Sequence, residues 1–106
     1  MTSMIRQCDV FPTPFRRDRE ERPYIVVVQS NQYPTSSRLC APLVAERFLK
    51  PSGRLNPMFE IDGKKYYLHP LELASLPIRA LRTPITNLDA YRDLIVAALD
   101  LVFTGV

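Results

Sequence analysis

The chain has 106 residues, of which 46% are hydrophobic and 24% charged, and these values predict one folded domain and argue against disorder. The formal net charge is +3, but the densest charged stretch, Arg16 to Arg22, mixes both signs, so charge alone does not indicate a nucleic-acid binder. No apolar run reaches the roughly 18 residues that a membrane-spanning helix needs, which excludes an integral membrane protein of the helical type.

The N-terminal quarter predicts two strands around the charged stretch. Met4 to Phe11 is a candidate first strand, ended by Pro12 and Pro14, and Arg16 to Arg22 is expected to be a solvated loop. Tyr24 to Gln29 has the strongest strand signal, because it is β-branched and continuously apolar, which is typical of the middle of a sheet.

A third strand is predicted after the polar loop Ser30 to Ser37. Residues alternate from Arg38 to Val44, so that one face of the strand is apolar. Pro42 lacks the N–H that a sheet ladder uses, and we expect it at a sheet edge or a bulge. The residues that should share the apolar face are Leu39, Ala41 and Leu43, with Arg38 and Cys40 on the other face.

The clearest local signal is a hairpin in the second half. Met58 to Ile61 and Lys64 to Leu68 are strand-like runs joined by Asp62-Gly63, the pair that a two-residue type I′ turn favours. Ala45 to Leu49 predicts a short helical turn before it, and Pro77 to Arg82 predicts another strand after it.

The end of the chain changes to helical spacing. Thr86 and Asp89 form a capping-box pattern at the predicted start, and Gly105 stands where a helix commonly ends. The apolar face is broad enough that we expect the helix to pack on both the sheet and a second subunit. Its predicted members are Leu88, Tyr91, Ile95, Ala98, Leu99 and Val102, widened by Leu94, Ala97 and Leu101.

About five or six short antiparallel strands followed by one helix predict an α+β fold, mostly β, built on an open barrel or a strongly bent sheet.

Few residues of the sequence are candidates for catalysis or metal binding. His69 is a single imidazole before Pro70, and Cys8 and Cys40 have neither a CxxC spacing nor a metal-binding partner. We therefore expect two buried thiols, no metal, no cofactor, and action by binding rather than catalysis. The stretch Met1 to Cys8 lacks the apolar core of a signal peptide, which favours a cytoplasmic protein.

Three stretches together resemble the CcdB family, the toxin half of plasmid-type toxin–antitoxin pairs. They are YIVVVQSNQYPTSSRLCAP from Tyr24, NPMFEIDGKKYYLHPLELASLPI from Asn56, and the ending DAYRDLIVAALDLVFTGV, in which Phe103, Gly105 and Val106 follow the family's Phe-x-Gly-Ile pattern. The resemblance runs from Arg6 onward, and we expect residues 1–106 to form a single CcdB-like toxin domain.

The resemblance implies an SH3-like barrel with one long C-terminal helix, the fold shared with the MazF/Kid toxins. It further implies a homodimer that binds the A subunit of DNA gyrase, a type II topoisomerase, and traps it on cleaved DNA. The disordered C-terminal segment of a cognate antitoxin would release the target, and operator DNA would be bound only through the antitoxin complex.

The resemblance also assigns the target-binding residues. The family carries Trp at the position of Thr104 and Asn at that of Asp100, and a pair of isoleucines where Gln32 and Tyr33 stand here. Because Thr104 cannot stack like Trp, weaker binding to gyrase or a different target surface is expected. The predicted target-binding residues are Phe103, Thr104, Gly105, Val106, Asp100, Gln32 and Tyr33.

Two other functions stay open on the sequence. A MazF-like endoribonuclease on the same fold would need Arg16 to Arg22 to bind RNA. An inactivated toxin, retained as an antitoxin-binding regulatory module, is favoured by the missing Trp.

Overall fold

The structure is a computed structural model that describes residues 4–106, so the first three residues of the stretch screened for a signal peptide lie outside it. Strands dominate the first four-fifths of the chain, short 3-10 turns separate several of them, and one α-helix ends it. The elements are β1 (Asp9–Pro12), β2 (Tyr24–Val27), β3 (Ser37–Ala45), β4 (Met58–Ile61), β5 (Lys64–Leu68), β6 (Ala74–Pro77), β7 (Thr86–Asn87) and α1 (Arg92–Thr104).

All strand pairs are antiparallel and belong to one sheet, in the order β4-β5-β3-β2-β1-β7. The long strand β3 pairs with β2 along one side, while β6 and β5 share its other side, β6 at residues 37–40 and β5 at residues 43–45. The sheet therefore curls into a half-barrel with one C-terminal helix, which confirms the predicted fold class. No helix within residues 4–106 is long and apolar enough to cross a membrane.

Each face of the sheet carries its own buried cluster. The cluster under α1 includes Val26, Ala41 and Leu43 from the central strands together with Ile95 and Ala98 of the helix. The second cluster, on the opposite face, joins residues from four strands and the segment after β6: Phe11, Ile25, Val27, Cys40, Leu76 and Leu81. The alternation predicted for β3 is confirmed, because Ala41 and Leu43 lie in the first cluster and Cys40 in the second.

The predicted hairpin is confirmed residue by residue. Asp62 and Gly63 both have positive φ, 51° and 77°, as the type I′ turn requires, and Ile61 pairs with Lys64 across it. The helical turn predicted over Ala45 to Leu49 is present as a 3-10 turn at Glu46–Phe48.

Three strand predictions were wrong in their bounds, and the second strand ends at Val27 instead of Gln29. The first strand does not begin at Met4, because a turn closed by a hydrogen bond from Asp9 N–H to the Arg6 carbonyl (3.0 Å) precedes it. The strand predicted at Pro77 to Arg82 lies instead at Ala74–Pro77, where it pairs with β3, and the chain then enters a 3-10 turn at Ile78–Ala80.

Pro42 was expected at an edge or a bulge, and this was wrong because β3 is central. Its carbonyl accepts the N–H of His69 at 3.0 Å, so this side of Pro42 faces the gap between β6, which ends its pairing at Cys40, and β5, which begins at Leu43. A residue without an N–H fits the interior of a sheet where the partner strand changes.

The capping box was also wrong. Thr86 pairs with β1 as part of β7, and the side-chain oxygen of Asn87 accepts the N–H of Asp89 at 2.7 Å. A 3-10 turn at Asp89–Tyr91 follows, and α1 begins only at Arg92. The predicted stop at Gly105 is confirmed, with φ 77° and its N–H bonded to the Leu101 carbonyl.

Candidate target-binding surface

Helix α1 is anchored by its middle. Ile95 and Ala98 are buried against the sheet, and the 3-10 turns at Gly53–Leu55 and Pro70–Glu72 pack beside the helix. The end of the helix is thereby held in a defined position relative to the sheet, although its last residues are not themselves buried.

The last residues of the chain expose apolar side chains. Phe103 is 69% exposed and Val106 is 84% exposed, while Gly105 ends the helix in the left-handed conformation. A glycine tolerates this conformation without the steric cost that a Cβ brings, so the chain can turn here and present Val106 beside the helix end. An exposed aromatic ring on a fixed helix end is typical of a binding surface.

Thr104 organises this ending through its hydroxyl. The Oγ1 donates to the Asp100 carbonyl at 2.7 Å, and it lies 3.4 Å from both the backbone nitrogen and the carbonyl oxygen of Val106. Thr104 and Asp100 are one helical turn apart and both exposed, so the carboxylate of Asp100 shares the surface with Phe103 and Val106.

Gln32 and Tyr33 lie in the loop between β2 and β3, and both are exposed. The loop is held by Gln29, whose side-chain nitrogen donates to the Tyr33 carbonyl at 2.5 Å and whose oxygen accepts the Leu39 N–H at 2.9 Å. Gln32 is held by its N–H, which donates to the Ser30 hydroxyl at 3.2 Å.

The structure does not bring this loop and the tail together within one chain. Asn31 accepts the N–H of Gln7 at 2.7 Å, and Gln7 in turn accepts a hydrogen bond from Arg92 at the start of α1. The tail, Phe103 to Val106, begins about 16 Å further along the helix, at the rise of about 1.5 Å per residue. The predicted target-binding residues thus form two exposed sets, one at each end of α1.

Between these ends the helix exposes further apolar surface. Leu94 and Tyr91 are each about half exposed, and Ala97, Leu101 and Val102 are only partly covered. The ring of Tyr91 packs edge-on against Phe59 with centroids 5.7 Å apart, so one side of it is held and the other faces solvent. This unburied width is what the expected second subunit would cover.

The candidate catalytic groups are placed unfavourably for nucleophilic chemistry. Burial raises the pKa of the Cys8 thiol, and burial raises the pKa of Cys40 to about 12. Both thiols are therefore protonated at neutral pH, and only a thiolate is a strong nucleophile. No group of three or more His, Cys, Asp or Glu side chains in residues 4–106 is arranged to hold a metal ion.

One arginine of the charged loop, Arg22, is bound by carboxylates. Arg22 donates to both carboxylate oxygens of Glu72, at 2.7 and 3.0 Å, and also pairs with Glu21. The hydrogen bond from Arg22 lowers the pKa of Glu72, and that to Glu72 raises the pKa of Arg22. His69 lies beside this cluster, with Nε2 3.8 Å from Glu72, and its side chain is partly exposed as expected for a residue at a strand end.

Sequence reasoning missed the residues that shape the loop. Gln29 was assigned only to the end of a strand, yet its amide bonds to the Tyr33 carbonyl, the Thr35 hydroxyl and the Leu39 N–H, and so ties the loop to β3. A long amide side chain at a strand end followed by a polar loop is the signal that could have indicated this role.

The family model described as CcdB protein matches residues 7–105 of the chain. No curated protein matches the sequence. The match covers the loop with Gln32 and Tyr33 and all of α1, and it ends one residue before Val106.

Proposed function

The chain belongs to the CcdB family, whose members are toxins of toxin–antitoxin systems, and we propose that it binds and poisons a type II topoisomerase, the A subunit of DNA gyrase or a relative. The proposal takes residues 1–106 as one toxin domain. It assigns target binding to Phe103, Thr104, Gly105 and Val106 together with Asp100, and to Gln32 and Tyr33.

One observation carries the proposal beyond the family itself. Phe103 and Val106 stay exposed at a helix end that is well ordered by Gly105 and Thr104. Exposing an aromatic side chain in water forgoes roughly 1.5 to 3 kcal/mol of burial free energy, which a partner could recover on binding. An exposed aromatic side chain is a common anchor of a protein–protein contact.

The mode of action is binding, without catalysis by this chain. The two thiols have raised pKa values and are therefore poor nucleophiles at neutral pH. Arg22 of the charged loop is engaged by Glu72 and Glu21. The family match favours the topoisomerase poison over the MazF-like endoribonuclease. Arg16, Arg17 and Arg19 are exposed and form none of the ion pairs in residues 4–106, so an assay of RNA cleavage is needed to separate the two functions.

The partners follow from the same proposal. The toxin is a homodimer whose interface includes α1, because Leu94 and its neighbours are incompletely covered. A cognate antitoxin neutralises it through a disordered acidic C-terminal segment, since the chain is basic overall. Operator DNA is contacted only by the antitoxin complex, and the protein acts in the cytoplasm, where gyrase is.

The test is expression in a bacterial host with and without the product of the neighbouring upstream gene. Growth arrest that the upstream product relieves is expected, and purified protein should inhibit gyrase supercoiling. Removal of Thr104 to Val106 should abolish both effects while the circular dichroism spectrum is retained. Cleavage of bulk RNA by the purified protein would contradict the proposal and support the endoribonuclease.

A second candidate is an inactivated toxin that still binds antitoxin. Thr104 stands where the family pattern has Trp. Its hydroxyl donates to the Asp100 carbonyl, and its side chain has no aromatic ring that could anchor a partner. Binding of the upstream product without any growth arrest would favour this candidate over the active toxin.

A further inference from the structure

A basic groove lies beside the loop between β2 and β3, away from the tail. Its volume is about 1200 Å³, and it is lined by segments from the N-terminus, the loop, β3 and the turn after β6. Three arginines, Arg6, Arg38 and Arg79, line it, and none of its lining residues is acidic. They lie far apart in sequence, so only the fold brings them to one groove.

The three arginines are not neutralised by the protein. None of them takes part in any of the ion pairs found in residues 4–106. Arg38 is also held in place, because its Nη1 donates to the carbonyl oxygens of Thr35 and Ser37. A guanidinium that is already positioned loses less conformational freedom when it binds an anion.

Aliphatic side chains and small polar side chains make up the rest of the groove. Ile5 packs against the second core cluster, while Ile78 and Met4 are exposed to 40% and 81%. No aromatic side chain lines the groove. Single-stranded nucleic acid is usually held by aromatic rings on which the bases stack, whereas aliphatic side chains suit the apolar residues of a peptide.

We propose that this groove binds an extended acidic peptide segment whose carboxylates pair with the three arginines and whose aliphatic side chains contact Ile5 and Ile78. The inference rests on the proposed function, in which the occupant is the acidic segment of the antitoxin. It assigns that segment to a place on this chain that is distinct from the tail.

The groove lies beside the loop that we propose contacts the target, so a peptide bound in the groove would affect target binding. Asn31 and Pro34 line it, and Gln32 and Tyr33 lie between them in the same loop. A peptide in the groove would cover this loop and exclude a target that contacts it. Release of the target by the antitoxin would then follow from competition at the loop, with no change in the tail.

Calorimetric titration of the toxin with the whole purified product of the upstream gene tests the assignment. The groove variant carries Arg6→Glu and Arg79→Glu, both at exposed positions. The matched control carries Lys64→Glu and Lys65→Glu, which make the same change in net charge on the exposed hairpin and border another hollow of the surface, lined by four basic and two acidic side chains. Circular dichroism and thermal unfolding verify that each variant is folded.

The groove variant should bind the upstream product about 30-fold more weakly or worse, because reversed charges repel the acidic segment, and the control should bind within about threefold of the native protein. Equal affinities of the native protein and the groove variant would overturn the groove assignment and leave the proposed function standing. Greater weakening in the hairpin variant would overturn it too, and would place the segment at the other hollow.

Two further outcomes distinguish failure of the groove assignment from failure of the proposed function. If the native protein does not bind the upstream product at all, the proposed function fails and the inference fails with it. If a single-stranded DNA oligonucleotide binds the native protein more tightly than the upstream product does, and the groove variant loses that binding, the groove is a nucleic-acid site and the peptide assignment is wrong.

Discussion

Helix α1 has two apolar regions, one of which is buried and the other exposed. Ile95 and Ala98, in the middle, are 2% and 0% exposed, whereas Phe103 and Val106, at the end, remain largely in water. The middle residues stabilise the fold because they close the half-barrel. The end residues contribute little to folding, so their apolar character is best explained by contact with a partner. The same helix therefore contributes to the core through its middle and leaves apolar side chains in water at its end, where we propose that the target binds.

The largest expected effect is a loss of stability when a side chain of the buried region is truncated. Ile95→Ala leaves a cavity under the helix and should lower the free energy of unfolding by about 2 to 5 kcal/mol, measured by urea denaturation. Phe103→Ala removes a larger side chain from the second region and should cost less than about 0.5 kcal/mol. Similar losses in the two variants would show that the tail is part of the core.

The next prediction sharpens the role of the tail. Thr104→Trp should strengthen inhibition of gyrase supercoiling by roughly 30- to 1000-fold, because a Trp anchor commonly contributes about 2 to 4 kcal/mol to an interface. Thr83→Trp adds the same ring at an exposed loop position and should have no such effect. If the native protein already poisons gyrase as strongly as Thr104→Trp does, an aromatic anchor at this position is not needed.

The middle of the helix also borders the proposed subunit interface. Leu94→Glu introduces a charge that would have to be desolvated there, and the dimer should dissociate about tenfold more readily or worse. Thr83→Glu is the charge-matched control outside α1. Light scattering at tens of micromolar protein measures the outcome, and a native protein that is already monomeric at that concentration contradicts the homodimer.

The smallest effect concerns the ion pair that links the charged loop to the turn after β5. Glu72→Gln should lower stability at pH 7 by only about 0.5 to 1 kcal/mol, because the pair is partly exposed and screened by solvent. The pKa of Glu72 is lowered in the folded state, chiefly by the hydrogen bond from Arg22. The contribution is therefore present above the unfolded pKa, near 4.5, and is lost as the pH falls through the folded-state pKa.

Urea denaturation from neutral to acid pH measures this difference. The native protein and Glu72→Gln should converge in stability at acid pH. Glu46→Gln, which removes an exposed carboxylate that forms none of the ion pairs in residues 4–106, should track the native protein throughout. Parallel curves for Glu72→Gln and the native protein would mean that the pair contributes no pH-dependent stability.

Several elements could be predicted from the sequence because their determinants are local. Asp62-Gly63 requires positive φ at two adjacent residues, and those residue types supply it without reference to the rest of the chain. The stop at Gly105 is local in the same sense. The apolar spacing from Leu88 to Val102 predicted the buried side of α1, since Ile95 and Ala98 are the residues that the core encloses.

Other elements depended on partners far along the chain. Pro42 is acceptable in a central strand only because β6 and β5 leave a gap beside it. The strand after the hairpin lies at Ala74–Pro77 because that segment pairs with the first half of β3, a register that its own residues do not specify.

Some residues of the candidate surfaces could also be indicated by the sequence, whereas others are brought together only by the fold. Phe103 and Val106 were indicated by the order of residues at the chain end and by the family they resemble, and the structure places them at an exposed helix end. The sequence by itself thus determined the hairpin turn, the end of the helix and the apolar ending of the chain, because each depends on residues a few positions apart. Only the tertiary structure decided which strands share β3 and that Arg6, Arg38 and Arg79 line one groove, because such neighbours are set by long-range pairing.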